Sequence, residues 1–530
     1  MTAVERFARR DAKDDSSARQ RLYSDLIPLE KPAPGEQYAF EVDLDRCTGC
    51  KACVTGCHGL NGLDEEETWR GVTLMLGGSP RLPVVQPVTA SCHHCLEPSC
   101  MTGCPVMAYE KDPKTGIVFH LDDQCIGCQY CLFMCPYDVP QFLPKRGIVR
   151  KCDMCRTRLA VGEAPACVQS CPTSAIRIRS IKAETVRQEN QAKGFLPGSA
   201  APHHTQPTTR YRTSWSLPDN MRQAEHQVLR PGQPHLPLVL MLVMTQFSVG
   251  ALAALWLING LLTGAAAGIV PWATTMAVGI GLAGLAASIA HLGRPLVAFR
   301  VILGLKTSWL SREVVALGAF GGAGVLASLA AWAPDKVPTG GIAIMPVSLL
   351  LGVLGIYCSA RVYQITPRVL FGRLTNLRFF ATATILGLGL VPMALAVALV
   401  ALGEVGQVAR GVGAWACLIL PLLVVFKLIQ EASILNPTAG NPNRDPRARA
   451  LVRGPLKGAW TLRVILGIMG SILPLVGLVL FPQEDSSPAV SVILAISCGA
   501  GLAALVMGEL IERYLFFTAC LPPRTARESA

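Results

Sequence analysis

Sixteen of the 20 cysteines fall between Cys47 and Cys171, in four groups of four. Group one is Cys47, Cys50, Cys53 and Cys57, spaced C-x2-C-x2-C-x3-C. Group two is Cys92, Cys95, Cys100 and Cys104, group three Cys125, Cys128, Cys131 and Cys135, and group four Cys152, Cys155, Cys167 and Cys171. Proline follows the last cysteine of groups two, three and four, as Pro105, Pro136 and Pro172. Groups one and three have the bacterial ferredoxin spacing. Three thiolates on one tight loop reach three irons of a cubane, and the fourth, on the next element, points to the other cluster of a pair. Sixteen thiolates then suit four [4Fe–4S] clusters. Cys128 is present, so four irons are expected in its cluster and not three. Zinc suits group four taken alone, but not the short loops of groups one and three. Spacing does not choose between pairing of neighbouring groups and a nested pairing. Cys358, Cys417, Cys498 and Cys520 are scattered through apolar sequence and read as small buried side chains.

These groups need a compact domain, expected over 37–183 as an α+β ferredoxin-like fold. A polar extension, 1–36, precedes it. Residues 1–25 carry Arg6, Arg9, Arg10, Arg19 and Arg21 but no apolar core, so no secretory signal is expected. Residues 184–235, rich in Pro, Gln, Thr and Arg, read as an extended linker. From 236 to 518 the chain is apolar, and a tail of 519–530 follows. Eight runs suit the roughly 20 residues of a membrane helix, near 238–260, 267–290, 313–332, 343–363, 379–402, 412–433, 464–482 and 489–511. The second region is thus expected to be an all-α eight-helix transmembrane bundle.

The net charge of +12 maps onto this topology and gives no nucleic-acid signal. The loops and tail on the side that carries the cysteine domain hold seventeen Lys and Arg, against Lys336 and Arg410 on the other side. The positive-inside rule places the cysteine domain in the cytoplasm, at the inner membrane. Assembly of iron–sulfur clusters in the cytoplasm agrees with this.

The stretches Arg46-Cys-Thr-Gly-Cys-Lys-Ala-Cys, Cys92-His-His-Cys-Leu-Glu-Pro-Ser-Cys, Cys125-Ile-Gly-Cys-Gln-Tyr-Cys and Lys151-Cys-Asp-Met-Cys resemble the iron–sulfur subunit of the dimethyl sulfoxide reductase group of molybdenum enzymes. The stretches His291-Leu-Gly-Arg-Pro, Ser311-Arg-Glu, Arg361-Val-Tyr and Gly508-Glu-Leu-Ile-Glu-Arg resemble that group's membrane anchor. The resemblance implies nested pairing, with Cys47, Cys50 and Cys53 joined by Cys171, and Cys152, Cys155 and Cys167 by Cys57. Cys92, Cys95 and Cys100 would be joined by Cys135, and Cys125, Cys128 and Cys131 by Cys104. It also implies a separate molybdopterin-containing catalytic subunit and exchange with the membrane quinone pool. Two departures stand out: the subunits are fused in one chain, and the cluster domain reads as cytoplasmic.

His291 ends the second span on the cysteine-domain side. A quinone exchanges protons as it exchanges electrons, which suits a histidine there. Glu313 is expected in the first turn of the third span, with Ser311 as N-cap. Arg294 and Tyr363 complete the expected quinone site, and Glu509 and Arg513 lie near the same side. Nothing in the chain suits oxygen-atom transfer, so it reads as an electron conduit and quinone-reactive anchor. A polysulfide reductase-type or formate-linked anchor, or a structural scaffold, are the other readings. Terminal substrate and direction of electron flow are not legible.

Overall fold

The computed structural model describes residues 23–192, 195–224, 229–259, 268–333, 340–372, 374–402, 407–435, 446–480 and 487–521. The expected extension up to residue 22, the tail from 522, and the loop charges Lys336, Arg373, Arg444, Arg524 and Arg527 lie outside the described residues. The chain divides into two compact units at residue 229.

The N-terminal unit is ferredoxin-like. Its first strand, β1 (Glu36–Asp43), is buried on both faces. It lies between β8 (Ile176–Lys182), antiparallel, and β9 (Arg210–Arg212), parallel. Ile176 and Ile178 of β8 turn to the core, while Ile181 on the other face packs on Ala39 and Val186. Five short helices lie within or beside the cysteine groups: α1 (Ala52–Asn61), α2 (Ser99–Thr102), α3 (Tyr130–Met134), α4 (Arg156–Ala160) and α5 (Ala166–Gln169). Between them run the hairpins β2 (Gly71–Ser79)–β3 (Leu82–Ala90), β4 (Tyr109–Lys111)–β5 (Val118–His120) and β6 (Gln141–Leu143)–β7 (Ile148–Arg150).

The stretch 184–235 departs from an extended linker. Helix α6 (Ala183–Ala192) docks through Val186, β9 joins the main sheet, and β10 (Arg222–Gln223) extends the β2–β3 hairpin. Backbone pairing holds these pieces, and it needs no apolar periodicity. Thr208 and Thr209 reach His93 through hydrogen bonds of 2.7 and 2.9 Å.

Eight helices in the C-terminal unit are long and apolar enough to cross a membrane. They are α7 (Leu236–Asn259), α8 (Ile269–Ile289), α9 (Trp309–Trp332), α10 (Gly340–Gln364), α11 (Thr375–Leu402), α12 (Gln407–Leu435), α14 (Lys457–Leu480) and α15 (Pro488–Thr518), with the short α13 (Pro446–Arg453) before α14. Helices α7–α10 pack together, as do α11, α12, α14 and α15, and α7 contacts α11 and α15. At the α7–α11 crossing a Cβ on Gly250 would meet the Ala383 carbonyl oxygen at 1.9 Å, so only glycine lets the backbones approach this closely.

The helix ends correct several expectations. Helix α9 starts at Trp309 with Ser308 flanking it, so Ser311 is not the N-cap and Glu313 lies in the second turn. Arg378, Arg463 and Arg513, counted as loop or tail charges, lie inside α11, α14 and α15 and are buried. Carboxylate partners on neighbouring helices make that burial affordable.

Candidate functional site: facing thiols and buried polar groups

Each cysteine group begins in a turn that bends the backbone left-handed. In group one φ is +71° at Gly49 and +61° at Lys51, and in group three +69° at Gly127 and +60° at Gln129. The two loops therefore share one conformation, which glycine adopts without steric cost. Such turns aim backbone N–H groups at one point, an arrangement that suits an anion. Gly127 donates to Cys125 Sγ at 3.4 Å, Met154 to Cys152 Sγ at 3.4 Å, Ala108 to Cys104 Sγ at 3.2 Å and Ala175 to Cys171 Sγ at 3.2 Å.

Distant groups are brought together by helix packing. A Cβ on Gly56 of α1 would stand 2.0 Å from Ser170 Oγ, just after α5. This close approach carries Cys53 and Cys57 to Cys167 and Cys171. The neighbouring thiols whose charges act on each cysteine suggest four sets. Cys47 couples to Cys53, Cys171 and Cys50. Cys57 couples to Cys167 and Cys155, and Cys152 to Cys57. Cys100 couples to Cys135, Cys92 and Cys95. Cys131 couples to Cys128, Cys104 and Cys125. These sets are nested.

Electrostatic influence also runs between the sets. Cys53 couples to Cys167, and Cys152 to Cys92. Tyr109 couples to Cys131 and Cys100.

The sets suit a cubane better than a single ion. Among the described residues no three His, Cys, Asp or Glu side chains are grouped to hold one metal ion. A small cavity is lined by Cys92, Cys95, Cys100, Cys135 and Lys151. Burial pushes the thiols of Cys57 and Cys135 up to about 12 and that of Cys155 to about 11. Metal binding must therefore displace protons from them. Burial acts on Cys125 in the same sense, but His120 and two backbone N–H groups outweigh it and its thiol falls below the ordinary value.

Two buried cations face the sets. Arg70 is 2% exposed, donates to Thr89 and Ser91, and lies over Phe40. Burial works against its charge, and Cys167, Cys53, Cys152 and Cys57, once they are thiolates, favour the protonated guanidinium. Lys151 Nζ lies 3.6 Å from Cys92 Sγ, and Cys92, Cys100 and Cys152, once they are thiolates, favour its charge despite burial. Lys151 stands beside a cysteine in sequence. Arg70 has no such signal and was missed.

In the C-terminal unit His291 follows α8, and its ring lies 5.1 Å from that of His235. The His235 ring lies 5.6 Å from Phe517, which lies 5.6 Å from Tyr363. His291 and Tyr363 thus belong to one run of rings. Burial, then the charges of His291 and Arg368, push His235 down to about 4, so it is neutral near pH 7. His235 was missed, although a histidine directly before an apolar run was legible. Glu313 is 2% exposed and faces the Ser359 hydroxyl of α10. Ser359 is four residues before Tyr363, on the same helix face. Arg294 begins the 3-10 segment Pro295–Gly304, three residues after His291.

Glu509 and Arg513 instead join a buried ion network. Arg463 donates to Glu431 at 3.0 Å and to Glu509 at 2.9 Å. Lys427 pairs with Glu509 and donates to Thr382 at 2.6 Å. Arg378 donates to Glu512 at 3.0 Å, and Arg513 pairs with Glu512 at 3.0 Å and donates to Gln246 at 2.9 Å. Lys427 and Glu431 were missed, though charges four residues apart in an apolar run are a signal.

Comparison with known proteins bears on both units. The family model described as DMSO reductase anchor subunit (DmsC) matches residues 229–518, and one described as 4Fe-4S dicluster domain matches residues 84–181. Over 179 residues the chain is 35% identical to YnfG of Escherichia coli (strain K12), a probable anaerobic dimethyl sulfoxide reductase component, covering 32% of this chain and 86% of that one. It is 34% identical over 197 residues to the hydrogenase-2 operon protein HybA of Escherichia coli O157:H7, covering 32% and 58%. It is 40% identical over 146 residues to the thiosulfate reductase electron transfer subunit PhsB of Salmonella typhi, covering 27% and 74%.

Proposed function

The chain belongs to the DMSO reductase anchor subunit family and carries a 4Fe-4S electron-transfer domain ahead of that anchor, and from this premise we propose that it passes electrons between membrane quinone and a separate molybdopterin-containing catalytic subunit. The observation that supports the reading is that the thiols acting on Cys47, Cys57, Cys100 and Cys131 are those a nested pairing of four groups requires. In this reading each set ligates one [4Fe–4S] cluster, which supplies one-electron transfer when bound. The family resemblance implies an order, with the Cys47, Cys50, Cys53 and Cys171 set toward the catalytic subunit and the Cys125, Cys128, Cys131 and Cys104 set toward the membrane. Arg70 and Lys151 balance the negative charge of the thiolate-ligated sets.

His291, His235 and Tyr363 line the quinone site, with Glu313 and Arg294 beside it. The neutral His235 ring offers one donor and one acceptor. Glu313, buried against Ser359, holds or releases the proton that accompanies an electron. The cluster domain faces the cytoplasm. Removing the three buried arginines from the loop count still leaves that side strongly basic. Proton and electron exchange then occur on one side, and turnover in proteoliposomes generates no membrane potential.

The test is purification of the tagged chain from detergent-solubilised membranes. The expected result is a co-purifying molybdenum protein, about sixteen irons per chain, and reduction of the clusters by a quinol analogue. Iron without molybdenum or a large partner would remove the molybdoenzyme assignment. Clusters that ignore the quinol would remove the conduit.

A further inference from the structure

The ion network in the C-terminal unit is not electrically balanced. Arg378, Lys427, Arg463 and Arg513 face Glu431, Glu509 and Glu512, and each of the seven is no more than 5% exposed. Among the described residues the network has one more cation than carboxylate. An unmatched charge inside a membrane bundle is costly, so a compensating anion is expected close by.

The structure has a place for one. A small groove on this network is lined by Arg378, Glu431 and Glu512 together with the apolar Leu370, Val452 and Trp460. The two carboxylates there do not make it a cation site, because Arg463 holds Glu431, and Arg378 and Arg513 hold Glu512. The groove lies near the ends of three of these helices. Arg378 is three residues from the start of α11, Glu431 four from the end of α12, and Glu512 six from the end of α15. At about 1.5 Å per residue, all three lie within roughly 9 Å of their helix ends. The amphipathic α13 covers this level, with Leu451 and Val452 buried and Arg453 exposed. A tryptophan beside a basic surface helix is typical of the interfacial layer.

We propose that this groove binds the phosphodiester head group of an anionic membrane phospholipid. Its single negative charge balances the network, and its acyl chains lie against the apolar wall below Trp460. A zwitterionic lipid brings its own cation and does not supply that balance. Free phosphate lacks the chains that the apolar wall accommodates.

The complex purified in mild detergent is examined by native mass spectrometry, and wild type is expected to retain one anionic phospholipid at this site. Val452→Trp fills the groove and leaves the charges intact, and it is expected to release the lipid. Lys427→Met removes one cation, and with it the network's excess positive charge, and leaves the groove intact, and it is expected to weaken retention roughly fivefold or more. Equal retention in all three proteins would overturn the proposal. If a variant fails to fold, delipidated wild type decides. Its melting temperature should rise with phosphatidylglycerol, and not with phosphatidylcholine or inorganic phosphate. An equal rise with phosphatidylcholine or with inorganic phosphate, or no rise with phosphatidylglycerol, would overturn the assignment.

Discussion

Both units bury cations, but they answer them differently. In the N-terminal unit Arg70 and Lys151 face thiols, and among the described residues neither forms an ion pair with a carboxylate. In the C-terminal unit Arg378, Arg463, Arg513 and Lys427 face carboxylates carried by the chain itself. The first arrangement leaves the negative charge to a thiolate-bound group. The second is largely complete within the polypeptide. Folding of the N-terminal unit should therefore depend on its metal, and folding of the membrane unit should not.

Metal removal is the most severe test of that contrast. Stripping iron from the complex should unfold the N-terminal unit, because binding energy in such domains is folding energy. Limited proteolysis should then digest residues before 229 and leave a helical membrane fragment. A cluster domain that resists protease to the same temperature without iron would break the comparison.

Charge removal sharpens it. Glu509→Gln takes a carboxylate from Lys427 and Arg463 together and should cost about 3–5 kcal/mol in detergent denaturation. Lys427→Met should cost less, since Glu509 keeps Arg463 at 2.9 Å. In the N-terminal unit the order reverses and the cation is the critical partner. Arg70→Met should cost about 3 kcal/mol and lower the reduction potential of the adjacent clusters, while Arg70→Lys keeps most of both. Gly56→Ala tests packing alone. Its Cβ would meet Ser170 Oγ at 2.0 Å, and the expected loss is about 1–3 kcal/mol, read from thermal bleaching of the iron–sulfur absorbance.

The same contrast explains what was legible beforehand. Cysteine loops are local, so spacing alone pointed to cubanes. Their pairing was not local, because it depends on the approach of α1 and α5 at Gly56. The eight spans were visible as apolar runs, but their ends were misplaced wherever an arginine lay just inside. Arg378 and Arg463 look like loop charges until Glu512, Glu431 and Glu509 are known to be beside them. Lys427 and Glu431 were hidden by the strongly apolar residues around them. Arg70 is held by Thr89, Ser91 and thiols that are all distant from it in sequence.

His235 gives the smallest and most specific prediction. Its folded-state value of about 4 lies below the ordinary 6.5, with burial as the first cause and His291 as the second. The unfolded chain thus binds more protons between those values, and stability must fall as pH drops from about 6.5 through 4. The expected loss by pH 5.5 is about 1 kcal/mol after allowance for partial exposure. His235→Asn should flatten that part of the stability curve. Above pH 6.5 His235 stays neutral and does not titrate, so it contributes no slope to quinol-analogue binding between pH 6.5 and 8. Any slope there must come from another group, and it should survive in His235→Asn. A slope that vanishes with His235 would mean that its ring is charged near neutrality, which a second imidazole 5.1 Å away opposes.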